Sequence, residues 1–188
     1  MDKDFDKAWL LALEKRFGVE ARIAQIMLEH LPRMLVYYFQ DFPAKGMLTA
    51  VTAGLSNASH PDWVHGKPEL CFSLRTNDNT WGTAAAFIAQ SFFNQKPFSY
   101  ESSFALDRPL SGDSKMNACF VYRPQFLNKE QIRFDLPDRT VFLAGLFPMY
   151  EEEIALYEAK GTENFWNMPG FDPFNPRRAN LATQAQPG

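Results

Sequence analysis

Residues 49–58, TAVTAGLSNA, end in Gly54-Leu55-Ser56-Asn57-Ala58. This is a relaxed form of the G-x-S-x-G turn that presents a nucleophilic serine at the end of a strand. Such a serine needs a strand running directly into a helix, a nearby base, and an acid to orient that base. The strand is present, but Ser59-His60-Pro61-Asp62 opens a loop where the helix should start. The chain has three histidines, His30, His60 and His65, and none follows position 65, whereas the elbow fold supplies its histidine late. A local pair of Ser56 with His60 is the one dyad the spacing offers. The alternative is structural: Gly54 turns the chain, and Ser56 and Asn57 bond to neighbouring backbone, as short polar side chains do in turns. Metal chemistry has a similar claim on this loop, where His60, Asp62 and His65 precede Glu69. Zinc needs three or four ligands converging tetrahedrally, and this spacing fits no regular element, so a solvated loop is the simpler reading. Glu151-Glu152-Glu153 offers carboxylates for acid–base work. Consecutive helical residues diverge, however, and acids at a helix start complement its dipole.

The elements around these residues follow from periodicity. Phe5, Ala8, Trp9, Ala12 and Leu13 recur at helical spacing over 4–17, with Gly18 as a stop. Residues 20–31 fit a helix face and a strand alternation equally well. The runs 33–40 and 47–53 are rich in strand formers and flank the turn Phe42-Pro43-Ala44-Lys45-Gly46, which predicts a hairpin. A polar loop at 56–68 leads to a strand over 69–76. A helix from Trp81 follows, with Ala84, Ala85, Ile88 and Phe92 on one face and Pro97 after its end. An irregular stretch, 98–114, separates it from the strands 116–123, 131–136 and 139–147, the last two joined by Pro137-Asp138. A helix begins near Tyr150 and stops at Gly161. One domain over 1–168 and a Pro/Asn/Gln-rich, mobile tail over 169–188 are expected.

Composition narrows the function classes. The chain has 188 residues, is 46% hydrophobic and contains 18 phenylalanines, enough for one aromatic-rich core. A net charge of −3, with no basic cluster beyond Arg177-Arg178, argues against nucleic acid. The acidic start MDKDFDKAW does not read as a secretory signal. The longest apolar stretch, 140–150, is far short of the roughly 20 residues a membrane helix needs. A cytoplasmic protein is the expectation. Cys71 and Cys119 sit in apolar runs and read as buried free thiols, though counting alone leaves a disulfide open. No phosphate loop or dinucleotide fingerprint occurs, so no cofactor, metal or catalytic set is assigned.

The order of the pieces resembles the suppressor-of-fused domain family. A strand ends in Thr52-Ala53-Gly54-Leu55-Ser56, the next begins with Glu69-Leu70, and the late segment runs Pro148-Met149-Tyr150-Glu151-Glu152-Glu153. Between them come the helix from Trp81 through Ala89-Gln90-Ser91-Phe92-Phe93, a Pro109-Leu110 step and the strand Phe120-Val121-Tyr122. The resemblance covers most of residues 10–160. It implies a mixed α+β domain, a twisted mixed sheet covered by helices, with a binding role and no known catalysis. It makes Thr52, Gly54, Ser56, Glu69, Pro148 and Glu152 structural, and it tips 23–30 toward a strand. Animal members restrain Gli-type transcription factors by clamping an extended peptide between two domains. Bacterial members of this length are predicted, from gene neighbourhoods, to be immunity proteins against polymorphic toxins. The partner would therefore be a protein, a toxin or an extended segment, meeting either a sheet edge or a surface made by the loop 57–67 and the stretch 98–114. The candidate contacts are Trp63, His65, Phe98, Tyr100, Glu101, Phe104 and Asp107, with Asp113 adding acidity that could steer a basic partner. One competing reading tucks these aromatics under their own loops; the others are a hydrolase or metal-dependent enzyme using Ser56, His60 and His65, or a small-molecule binder with an aromatic pocket.

Overall fold

The computed structural model describes residues 3–184. Its framework is an eight-stranded mixed sheet in the order β1-β2-β3-β4-β8-β6-β5, with β7 paired to β8 off that path. The strands are β1 (Arg22–Ile26), β2 (Met34–Gln40), β3 (Leu48–Ala53), β4 (Lys67–Leu74), β5 (Ser103–Ala105), β6 (Ala118–Tyr122), β7 (Arg133–Asp135) and β8 (Thr140–Met149). All pairs are antiparallel except β4 with β8. The helices are α1 (Lys3–Phe17), α2 (Thr80–Ser91), α3 (Glu153–Trp166) and α4 (Leu181–Gln184).

Strand alternation builds two layers on the sheet. On β2, Met34, Val36 and Tyr38 join the core beneath α2, while Leu35, Tyr37 and Phe39 join Phe5, Trp9, Leu13 and Phe17 of α1 on the other face. Buried on both sides, such strands read as unbroken apolar runs. The consecutive alanines Ala84, Ala85 and Ala86 bring α2 close to the strands. At the far end of the sheet, Phe120 and Phe147 stack at 5.1 Å and meet Tyr157 and Phe165 of α3. Val141 and Leu143 pack toward α1 while Phe147 and Met149 pack toward α3, so those two helices share one face of β8.

The ambiguity at 20–31 resolves into the short edge strand β1 followed by a turn, where His30 takes a φ of 64°. The predicted helix from Trp81 ends at Ser91, and a three-residue strand, β5, interrupts the irregular stretch. Gly161, expected to end the last helix, has φ 73° and ψ 164° and breaks it, but the chain resumes helical turns to Trp166. Both cysteines are buried and free, with thiol pKa values pushed up by burial. They face opposite layers, which rules out a disulfide between them.

Two readings of the C-terminal third need correction. By sequence the triple glutamate reads as a complement to the helix dipole, and the family resemblance makes Glu152 its structural member. In the structure Glu152 is exposed, and Glu153 is fully buried against Arg178, with Oε1–Nη1 and Oε2–Nη2 distances of 2.6 Å each. The segment that its composition marks as a tail packs on the body through residue 181. Leu181 is buried, Ser114 Oγ donates to Pro176 O, and Arg75 N donates to Phe174 O. Residues 185–188 of that expected tail lie outside the described residues.

Candidate functional site

The T-x-G-x-S turn is organised by Glu69, which is entirely buried. Its Oε1 accepts the Gly54 and Ser56 amides, both at 2.9 Å, and its Oε2 accepts the Thr52 hydroxyl at 2.6 Å and the Leu55 amide at 3.3 Å. Thr52 Oγ1 in turn accepts the Leu70 amide at 2.8 Å. Burial pushes the Glu69 carboxyl pKa up, against the hydrogen bonds from Thr52, Ser56 and Gly54 that hold it down. Gly54 has φ 135°, and a Cβ there would come within 2.8 Å of Met34 Sδ and 3.0 Å of Arg33 O, so glycine is required. Residues 55–57 form one 3₁₀ turn, whose end is held by Arg139 through Ser56 O and Asn57 Oδ1.

This turn is no nucleophile elbow. The Ser56 hydroxyl is fully buried; apart from helping to hold the Glu69 carboxyl pKa down it has no partner, and no imidazole engages it. His60 instead accepts the Asp62 amide at Nδ1, and His65 is exposed. The idea that Ser56 bonds nearby backbone through its side chain is corrected with it, because the backbone amide of Ser56 makes the contact. Among the described residues no group of three or more His, Cys, Asp or Glu side chains is arranged to hold a metal ion.

The residues proposed for partner contact separate into two kinds. Phe98 and Phe104 are buried, and with Phe92 they form an edge-to-face triad with centroids 5.5–6.4 Å apart. Trp63 packs on the same core and donates its indole N–H to Pro97 O at 2.8 Å. Phe98 and Phe104 fasten their loops and are too buried to serve as exposed anchors, whereas Trp63 stays half-buried and lines an open cleft with Tyr100. Tyr100, Glu101 and Asp107 do reach the surface. Tyr100 exposes 40% of its surface while its hydroxyl turns inward to Leu143 O at 3.1 Å, and burial of that end pushes the phenol up to about 12.

Phe98 and Glu101 adopt positive φ, 52° and 71°. Non-glycine residues held there cost free energy and mark functional loops more often than ordinary ones. The Glu101 amide donates to Val121 O, and Glu101 O accepts the Tyr157 hydroxyl, which fixes the strained turn against β6 and α3. Beside it lies an open cleft of about 370 Å³ walled by Glu101, Tyr122, Arg123, Glu163 and Trp166. Sequence reasoning missed Tyr122, Arg123 and Trp166. Trp166, an aromatic among Glu, Asn and Met, was the available signal. The cleft flanks β5, a terminal strand of the sheet, where Ser103 Oγ contacts Glu158 at 3.4 Å. The strained loop, the aromatic walls and the sheet edge thus lie side by side on one surface.

The mixed sheet with a helical layer on each face, and a buried glutamate gathering the T-x-G-x-S amides, define an α+β domain. The sequence profile of the family described as Suppressor of fused protein (SUFU) matches residues 31–179, and the chain belongs to that family. No curated protein matches the sequence. Among solved structures, a suppressor of fused homolog from Neisseria gonorrhoeae FA 1090 is similar at TM-score 0.74 and 16% identity, over 95% of this chain and 97% of that one. Drosophila Suppressor of Fused gives 0.68 and 16%, over 96% of this chain and 52% of that one, so this chain spans about half of its length. A chain of the Sufu-Fu complex gives 0.65 and 17%, over 95% of this chain and 93% of that one. At these identities the likeness concerns the fold.

Proposed function

We propose that this chain is a non-catalytic protein-binding domain that acts in the cytoplasm as an immunity protein, neutralising a polymorphic toxin by covering it. Three things support the reading: membership of a family with a partner-bound member in the Sufu-Fu complex, a fold that spans nearly the whole Neisseria homolog, and the surface around residue 101. No helix among the described residues is long and apolar enough to cross a membrane.

The observation that carries the proposal is the turn at Tyr100-Glu101, with Glu101 held in left-handed backbone beside the cleft of Tyr122, Arg123 and Trp166. Glu101 and Glu163 line that cleft with Arg123 as the cation, and Glu158 stands near the adjoining sheet edge. This acidic surplus suits a basic partner, and carboxylates at a rim act mainly on association rate and selectivity. Tyr100, Tyr122 and Trp166 supply aromatic anchors of the kind that dominate interface energies. His65 and Asp107 lie on exposed loops and are peripheral to this surface.

The test is co-purification with the product of the adjacent gene, followed by affinity measurement. Glu101→Lys and Tyr100→Ala should each weaken binding by about tenfold or more, with the far-ultraviolet spectrum unchanged. Binding unaffected by both would remove this surface. An adjacent product that shows neither toxicity nor binding would remove the immunity reading.

A further inference from the structure

A second surface lies at the opposite end of the sheet. β1 is its terminal strand and pairs only with β2. Along it and in the turn beyond, large apolar side chains face solvent: Ile23 at 48% exposure, Met27 at 70%, Leu28 at 41% and Leu31 at 37%. Native edge strands are commonly blunted by charge or proline, and an apolar group gathered beside an open edge marks an interaction site. Leu28 also forms one wall of an open, mainly apolar cleft of about 390 Å³, which continues over Ala84 and Phe87 of α2 to Leu106, Arg108 and Leu110.

Arg108 gives this cleft its chemistry. Its guanidinium lies 3.9 Å from the centroid of the Phe87 ring, and no carboxylate among the described residues pairs with it. The acids at the other end of the cleft are engaged. Asp78 accepts Ser111 Oγ at 2.5 Å and Thr80 Oγ1 at 2.6 Å, and Asp113 accepts Arg177 Nη2 at 3.0 Å. Glu29 is the exposed acid of the 27–31 turn. A stacked, exposed guanidinium over an apolar floor suits a carboxylate attached to an apolar group.

We propose that this face docks an extended segment of a protein partner, whose backbone adds to β1 and whose acidic residue, beside a large apolar one, enters the cleft at Phe87 and Arg108. Backbone pairing at the edge supplies register, and the cleft supplies selectivity. This site is separate from the Tyr100-Glu101 surface, and the two can be tested apart.

The probe is a phage-displayed random dodecapeptide library panned on the whole chain, with the enriched sequence then synthesised and its affinity measured. Enriched peptides should carry Asp or Glu adjacent to a large apolar residue. Arg108→Glu and Leu28→Asp should each weaken the synthetic peptide by about tenfold or more, and replacing the peptide's acid with Lys should restore binding to Arg108→Glu. Glu101→Lys should leave it unchanged. Both variants alter exposed side chains, and melting curves would establish that they fold. Absence of enrichment, or equal binding to Arg108→Glu, would overturn the proposal. So would laurate binding in the cleft without any peptide selected, which would make it a small-molecule site. Sedimentation of the wild type as a dimer that Leu28→Asp splits would likewise overturn it, by making the face a self-interface.

Discussion

Two glutamates are wholly buried in this fold, and they are held in different ways. Glu69 lies in the sheet and meets three backbone amides and one hydroxyl, all from residues 52–56. Glu153 begins α3 and meets a guanidinium from 25 residues downstream, together with the amides of Tyr150 and Leu181. One carboxylate shapes a local turn with neutral donors. The other ties a distant segment to the body with a charge pair. The first must leave amides stranded if it is removed, because a backbone N–H cannot be substituted away. The second strands only the Tyr150 and Leu181 amides, and its charged partner can be removed by mutation along with it.

Removing Glu69 should therefore be the more damaging change. Glu69→Leu leaves the Gly54, Leu55 and Ser56 amides and the Thr52 hydroxyl without an acceptor, and a stranded buried polar group costs about 1–3 kcal/mol each. A total near 5 kcal/mol is comparable with the whole stability of a small domain. The expected outcome is loss of soluble, cooperatively melting protein, read by yield and circular dichroism. Thr52→Val, which removes one donor to Glu69 and one acceptor for Leu70, gives a measurable intermediate of about 2 kcal/mol.

Breaking the second arrangement on one side should cost somewhat less. Arg178→Ala leaves a fully buried carboxylate with only amide donors, at about 3–5 kcal/mol in urea unfolding. The double change Glu153→Met with Arg178→Met should be less destabilising than the two single changes added together, by on the order of 2 kcal/mol. Strict additivity would mean that the charges do not couple. The same contrast has a proteolytic form. With Arg178 only 4% exposed, trypsin should spare the bond after it in the wild type and cut in Glu153→Gln, where the pair is weakened.

The pH dependence sharpens the contrast further. The folded Glu69 carboxyl binds its proton more tightly than its ordinary pKa of 4.5 allows, with burial as the main cause. Between that value and its raised folded pKa, the native state holds more protons than the unfolded chain, so this group's contribution to stability falls as pH rises. Gln at the same position has no such dependence. The melting-temperature gap between wild type and Glu69→Gln should narrow as pH rises from 4 toward 7. A gap that widens would mean that the four donors outweigh burial and depress the carboxyl.

Much of the sheet was legible because its strands are buried on both faces and its turns carry Gly or Pro. The runs at 33–40 and 47–53 and the hairpin between them fall within a residue or two of β2 and β3. The edge strand β1 was not legible from residues alone, since five residues exposed on one side carry too short a pattern to separate periods of 2 and 3.6. Glu69 stands out as structural only through the family resemblance, since the residues themselves offer it as a metal ligand beside His60, Asp62 and His65. Glu153 does not stand out, because three consecutive glutamates look like a solvated helix start and Arg178 sits in a Pro- and Asn-rich stretch that composition assigns to a tail. The aromatics at 98 and 104 were misjudged for the reverse reason. A loop rich in polar residues conceals that its phenylalanines pack inward, while Tyr122 and Trp166, which wall the cleft, come together only through the pairing of β6 with β8 and the return of α3.

The smallest expected effect belongs to Ser56, the residue that chemistry makes most conspicuous. If the turn were built around its hydroxyl, Ser56→Ala would be costly. In the structure the Ser56 amide carries the bond to Glu69, and the hydroxyl is buried without a partner of its own. Alanine keeps the amide and removes a polar atom whose burial is itself unfavourable. It also withdraws the last-ranked of the contacts that hold the Glu69 carboxyl pKa down. The two effects oppose, so the change in unfolding free energy should stay within about 0.5 kcal/mol, while Glu69 titrates at a slightly higher pH. A loss of 2 kcal/mol or more would mean that the hydroxyl, and with it some feature of the nucleophile turn, has a role that the backbone geometry does not account for.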